Sequence, residues 1–262
     1  MANYRASALI LRRIPLGETD KILTVFTREY GKFNAIAKGA RRTTSRLAGA
    51  TEPLVYAKMM LGEGMNLDVV AQSEVREAFP RLRADYGLFL RASYACELLD
   101  RITTERDPSS SMFDLLLSTL FILQRAIDPD ITIHAFEVKL MAEAGYEPRL
   151  EECVRCERPF DGDRVLETAY SPHRGGMLCT LCAEQTRESV LKVSAETART
   201  LRYLAESDDA RGLAAFTPEP EVPAELNRLL REHLRLRLER DVRSTAFLDA
   251  FRLEAAGPDA TT

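Results

Sequence analysis

The sequence has no tryptophan and only three histidines in 262 residues. His134, His173 and His233 fall in different predicted elements, so no nucleophile–histidine–acid constellation can be read from them. There is no Gly-x-x-x-x-Gly-Lys-Ser/Thr loop for a nucleoside triphosphate, no His-Glu-x-x-His pair and no Gly-x-Ser-x-Gly elbow. A zinc deaminase would need a His-x-Glu signature and an open metal position, and the signature is missing. With these motifs absent, the default expectation is a binding protein and not an enzyme. No stretch approaches the roughly 18 apolar residues of a membrane span. Met1 to Ile14 lacks the apolar run and small-residue cleavage site of a signal peptide. The expectation is a soluble, cytoplasmic protein with no membrane partner.

Cysteine is also scarce, but four of the five stand in two Cys-x-x-Cys pairs, Cys153/Cys156 and Cys179/Cys182, with 22 residues between them. Each pair brings two sulfurs to one side of a tight turn, and two such knuckles complete a tetrahedral Zn²⁺ shell. Four thiolates leave no place for water or substrate, which argues for one structural ion. The alternatives are two disulfides, four unrelated thiols, or a Cys₃His set using His173. Nothing around the pairs reads as a strand feeding a helix, which lowers a thioredoxin-like redox turn. The fifth, Cys96, lies in a helical run and reads as a buried, inert thiol.

The formal net charge of -4 hides an asymmetry. Residues 1–80 carry 12 basic and 8 acidic side chains, leaving 24 and 32 for the remainder, so the front is +4 and the back -8. Polyanion affinity follows the local field, so a polyanion should bind in front. The front is also where strand patterns occur: Ala8–Leu11, Ile22–Phe26, Phe33–Ala37, Leu54–Leu61 and Leu67–Val75. Turns at Tyr30-Gly31-Lys32 and Gly62-Glu63-Gly64 punctuate them. Five short strands in about 75 residues predict a small barrel of the OB type. By alternation Phe26 and Phe33 should both point into it.

Beyond Pro80 the period becomes helical, through Leu82 to Leu99, Phe113 to Leu123, Ile133 to Ala144, Ser194 to Glu206 and Val222 to Val242. Asp107-Pro108-Ser109 and Asp128-Pro129-Asp130 supply stops and caps, and Gly145 ends the third helix. The expected fold class is α+β and multidomain: an OB-fold at 1–80, helices at 81–150, a Cys₄ zinc module at 151–188, helices again at 189–254, and a disordered tail at 255–262. Residues 28–46 hold Arg28, Lys32, Lys38, Arg41, Arg42 and Arg46 against the single acid Glu29. Guanidinium groups among Gly and hydroxyl residues suit phosphate oxygens, and Phe26, Tyr30, Phe33 and Tyr56 are candidate stacking faces for bases. A charge run is equally a solvated loop, and the barrel context tips the reading toward single-strand binding.

The run Leu16-Gly17-Glu18-Thr19-Asp20-Lys21-Ile22-Leu23-Thr24-Val25-Phe26-Thr27-Arg28-Glu29-Tyr30-Gly31-Lys32, followed by Ala37-Lys38-Gly39-Ala40-Arg41-Arg42, closely resembles the start of the bacterial RecO family of DNA-repair and recombination mediators. Leu140 to Pro148 leading into Cys153, Ser171-Pro172 with Gly175-Gly176, the second Cys pair, and Arg243 to Leu248 continue the likeness. The resemblance implies an OB-fold, a helical domain and a zinc module. It also implies binding of single- and double-stranded DNA, strand annealing, contact with the tail of single-strand-binding protein, and work with RecR, often alongside RecF, to load RecA in the RecFOR pathway. The setting it implies is the cytoplasm, at the nucleoid. Carried onto this chain, the DNA-contacting positions correspond best to Lys38, Arg41 and Arg42, then to Arg28, Lys32 and Arg46. Without the resemblance, the same features also suit a zinc-ribbon RNA-binding protein or an adaptor. With the four cysteines correctly paired, His173 reads as a surface or outer-shell residue.

Overall fold

The computed structural model describes residues 3–160, 168–238 and 242–256. Five strands form a closed barrel: β1 (Asn3–Leu16), β2 (Asp20–Thr27), β3 (Gly31–Ala37), β4 (Tyr56–Gly62) and β5 (Asp68–Glu77), in the order β1-β2-β3-β5-β4. This is the OB-type domain the strand pattern anticipates, and β4 pairs back onto β1 to close it. Ala8, Ile10, Leu23, Val25, Phe33, Ala35, Ala57, Met59 and Leu61 fill the interior. Inward and outward residues alternate along each strand, and a bulge between Ile10 and Arg12 shifts the phase of β1. That shift lets β1 run on to Leu16 past two arginines, well beyond the apolar run that marks it in the sequence.

The weakest seam is between β3 and β5, which pair in parallel only at Ala35 with Asp68 and Ile36 with Val69. The chain near 106 covers it. The Arg106 amide donates to the Lys32 carbonyl at 2.8 Å, and its guanidinium lies 4.0 Å over the Phe33 ring and pairs with Asp68. Asp68 accepts from the Tyr4 hydroxyl as well. Here glycine is required: a Cβ on Gly31 (φ +67) would sit 2.3 Å from the Asp107 carbonyl oxygen.

Three helices follow, α1 (Pro80–Ala84), α2 (Tyr86–Ile102) and α3 (Ser110–Leu123), with Asp85 and Ser109 capping the second and third through the amides of Leu88 and Met112. Phe113 of α3 packs on Phe26 (6.3 Å) and Tyr56 (6.0 Å). Phe26 is therefore fully buried, but on the outside of the barrel, which corrects the expectation that it points inward. Its strand is buried on both faces, so alternation carries no information about side.

Next come α4 (Pro129–Glu143), β6 (Thr168–Ser171), β7 (Gly176–Leu178), α5 (Thr180–Glu184), β8 (Leu191–Val193), α6 (Ala195–Glu206), α7 (Ala210–Ala215), α8 (Val222–Arg237) and α9 (Ser244–Ala256). Asp128 caps α4, and Gly145 (φ +79) ends it, with the Tyr146 amide returning to the Met141 carbonyl. The helix expected to reach Val242 stops at Arg237, because Leu238 is extended. The expected tail begins inside α9, whose last residue is Ala256; 257–262 lie outside the described residues.

Contacts group Met1–Gln124 with Val242–Thr262 as one compact unit and Arg125–Asp241 as another. In the first, α9 packs on α2, where Glu97 accepts the amides of Arg243 and Ser244. In the second, α4 packs against α6, α7 and α8, and a three-stranded sheet, β7-β6-β8, carries the cysteine module.

Candidate nucleic-acid interface and metal centre

The basic segment between β3 and β4 is an anchored loop. Lys38, Arg41, Arg42 and Arg46 are exposed, and none of the four lies at ion-pair distance from a carboxylate among the described residues. Its near end is tied to the β1–β2 hairpin. The Arg41 guanidinium donates to the Gly17 carbonyl at 2.6 Å, the Arg41 amide to the Thr19 carbonyl at 2.8 Å, and the Gly39 amide to Asp20 at 2.8 Å. The Gly39 amide and the Thr19 hydroxyl, aided by Lys38 and Arg42, hold the Asp20 carboxyl below its ordinary range. The far end is held by Lys21, a buried lysine bonded to Ala48, Thr51 and Glu52. A fixed loop can present cations in a constant pattern, which phosphate recognition favours. No local signal marks Lys21 or Asp20 as anchors, because their partners are about 20 to 30 residues away.

Arg28 and Lys32 are placed differently from the other four. Arg28 pairs with Asp114 and lies 5.4 Å over the Phe113 ring. The half-buried Lys32 ammonium donates to the carbonyls of Asp100 and Thr103 (2.6 Å to Thr103) and pairs with the Asp100 carboxylate at 3.0 Å. It thus caps the C-terminal end of α2, where helix carbonyls lack partners. Of the aromatics, Phe33 is in the barrel, Phe26 and Tyr56 lie against Phe113, and Tyr30 packs edge-on to Tyr4.

The four paired cysteines do come together. Their Sγ atoms all lie within 4.8 Å of one another, and Cys156 and Cys179 are 3.9 Å apart. That separation is about the edge of a tetrahedron with ~2.3 Å metal–sulfur bonds. It is far beyond the ~2.05 Å of a disulfide, and none of the five cysteines is in a disulfide. His173 is exposed and outside the cluster.

The first knuckle is a tight turn in which the Cys153 amide bonds to the Arg158 carbonyl and the Glu157 amide to the Cys153 carbonyl, with Glu157 at φ +58. The second lies where β7 runs straight into α5, with Cys179 at the cap position, a strand-to-helix join that the sequence pattern does not show. The strand approaches the first knuckle so closely that a Cβ on Gly176 would clash with the Val154 side chain, and with the Arg149 carbonyl at 2.6 Å. Burial opposes ionisation of Cys153, but the amides of Cys179, Cys156 and Arg155 outweigh it and bring its pKa down to about 6. Burial and the neighbouring sulfurs push Cys182 up to about 12. The site stabilises one thiolate by itself, and a bound cation would stabilise the others. The donor set therefore fits a metal ion.

The described residues contain no helix long and apolar enough to cross a membrane. Comparison with known families matches residues 1–79 to "Recombination protein O N terminal" and residues 83–246 to "Recombination protein O C terminal". The chain is 36% identical over 260 residues to the DNA repair protein RecO of Pelotomaculum thermopropionicum, covering 99% of both chains. It is 32% identical over 251 residues to that of Dehalococcoides mccartyi, covering 96% of this chain and 97% of the relative. With that of Roseiflexus sp. the identity is 39% over 251 residues, 95% of this chain and 86% of the relative.

Proposed function

Because the chain belongs to the RecO family of DNA repair proteins, we propose that it binds single- and double-stranded DNA through the loop of Lys38, Arg41, Arg42 and Arg46 and anneals complementary strands. The observation that carries this is the group of four exposed cations on a loop anchored at both ends. Cations there displace condensed counterions, so affinity for single strands should fall with salt at a log–log slope of about 3 if four phosphates are neutralised. Annealing needs two strands held close with their repulsion reduced. It requires no nucleophile, in keeping with a mediator that binds and does not cut. Arg28 and Lys32 support the surface indirectly by fixing helices on the barrel.

Family membership supports a place in recombination with partners of the usual kind: RecR, the tail of single-strand-binding protein and, in many relatives, RecF, leading to RecA loading on protein-coated DNA. The four cysteines, Cys153, Cys156, Cys179 and Cys182, hold one structural Zn²⁺ in this reading. The ion would supply charge to hold the knuckles together, and the closed shell leaves no position for catalysis.

The test is fluorescence-detected annealing of complementary oligonucleotides by the intact protein and by Lys38→Glu/Arg41→Glu/Arg42→Glu, with circular dichroism to establish the fold. The expected result is that the intact protein anneals and that the triple variant keeps its fold but loses both DNA binding and annealing. Undiminished binding by the variant would refute the loop as the DNA surface.

A further inference from the structure

Strand register places Ile14 opposite Ile22, Ile22 opposite Ile36, and Ile36 opposite Val69. Directly paired residues point to the same side of a sheet, and the inward set is Leu23, Ala35 and Val70, so this row faces outward. Ile14 is 49% exposed and the other three are half-buried. The row is an aliphatic shelf across four strands. The next rung toward the hairpin tip, Lys21 with Ala37, faces inward, and beyond it the basic loop begins at the exposed Lys38. Two rungs the other way, at the next outward position, the face turns polar, with Arg12 opposite Thr24 and Thr24 bonded to Asn34.

We infer that the unpaired bases of a single strand lie on the shelf of Ile14, Ile22 and Ile36 while their phosphates are held at the basic loop. The inference rests on the proposed role of that loop and extends it to what distinguishes single strands from duplex. Three features carry it. The shelf is continuous with a cationic rim, which suits a polyanion; the carboxylates nearest the tip are Asp20, already bonded to the loop, and the exposed Glu18. The shelf is small: four side chains fall far short of the roughly 800 Å² per partner of a stable protein interface. The barrel's aromatics are engaged elsewhere, in the core, under Phe113 or against each other. Base contact on this face is thus aliphatic and not stacked. A duplex keeps its bases inside, so it can reach the rim but not the shelf.

The experiment compares Ile14→Thr/Ile22→Thr/Ile36→Thr with the unaltered full chain, titrating a fluorescent oligothymidylate and a duplex of equal length at the same salt. Threonine keeps the β-branched shape that a strand prefers. The expected result is about tenfold weaker binding of the single strand, unchanged duplex affinity and an unchanged salt slope, since each substitution replaces an ethyl group with a hydroxyl at a partly exposed contact and one fully buried methylene is worth about fourfold. Ile14→Thr alone, at the most exposed position, should shift the same selectivity two- to threefold and serves if the triple variant fails to fold. Equal loss for both ligands, or no loss for either, overturns the shelf and leaves it to a protein partner. The loop reading fails separately, if the Lys38, Arg41 and Arg42 variant binds both ligands normally.

Discussion

The Lys21 ammonium lies 2.9 Å from the Glu52 carboxylate, and the Lys21 side chain is only 5% exposed. Lys21 also donates to the Ala48 carbonyl at 3.2 Å and the Thr51 hydroxyl at 3.1 Å, so one side chain of β2 holds the whole return of the basic loop. Arg13 shares Glu52 from the other side at 2.8 Å. Lys21→Met keeps the apolar stem but leaves buried acceptors without a donor, at a cost of about 1–3 kcal/mol. Urea unfolding should show that loss. Trypsin should cut faster at Lys38 to Arg46, and annealing should weaken although no exposed cation has changed.

The cysteine cluster leads to a second expectation. Purified protein should contain one zinc ion per chain by metal analysis, and Cys182→Ser should lose it on dialysis. Structural zinc sites supply about 10–16 kcal/mol of apparent binding energy, so loss of one ligand should loosen the β7-β6-β8 sheet. Hydrogen exchange would then accelerate at Tyr170 and Met177, while exchange of the barrel strands stays as before. Full metal retention by the serine variant would refute a four-cysteine shell.

A third expectation concerns pH. His233 is fully buried, with Nδ1 accepting from the Tyr170 hydroxyl and Nε2–H donating to the Tyr146 carbonyl at 2.9 Å. Burial chiefly, with the Arg237 charge, lowers its pKa to about 4 against the opposing pull of the Tyr146 carbonyl. The unfolded chain therefore binds a proton that the folded chain refuses. The contribution to stability is complete above the ordinary histidine pKa of 6.5 and is eroded as pH falls from there through about 4, by up to on the order of 3 kcal/mol. Denaturation midpoints between pH 7.5 and 4.5 should fall accordingly. His233→Gln, neutral at every pH, should flatten that part of the profile.

Much of this was legible in the sequence where the signal is local. The strand runs at Ile22–Phe26 and Phe33–Ala37 lie within β2 and β3, the caps at Ser109 and Asp128 act as expected, and the paired cysteines converge. What stayed hidden depends on distant partners. Lys32 reads as one more cation in a basic run, yet its acceptors are 68 and 71 residues away. Phe26 belongs to a strand apolar on both faces, so only the arrival of Phe113 tells which side it serves. The small sheet β7-β6-β8 is built of strands of three or four residues, too short to leave a periodicity. The row of isoleucines exists only once four strands are in register.

The seam covered by Arg106 has a consequence for heredity. Family similarity divides this chain near residue 80, with matches ending at 79 and resuming at 83. The barrel is nevertheless completed from beyond that joint, by Arg106 over Phe33 and Phe113 over Phe26. The first segment cannot be exchanged as a cassette. A hybrid joining residues 1–79 to a foreign remainder would inherit an open seam and an uncovered Phe26 and Tyr56 unless the donor brought its own arginine and phenylalanine. The two segments should therefore be exchangeable only together.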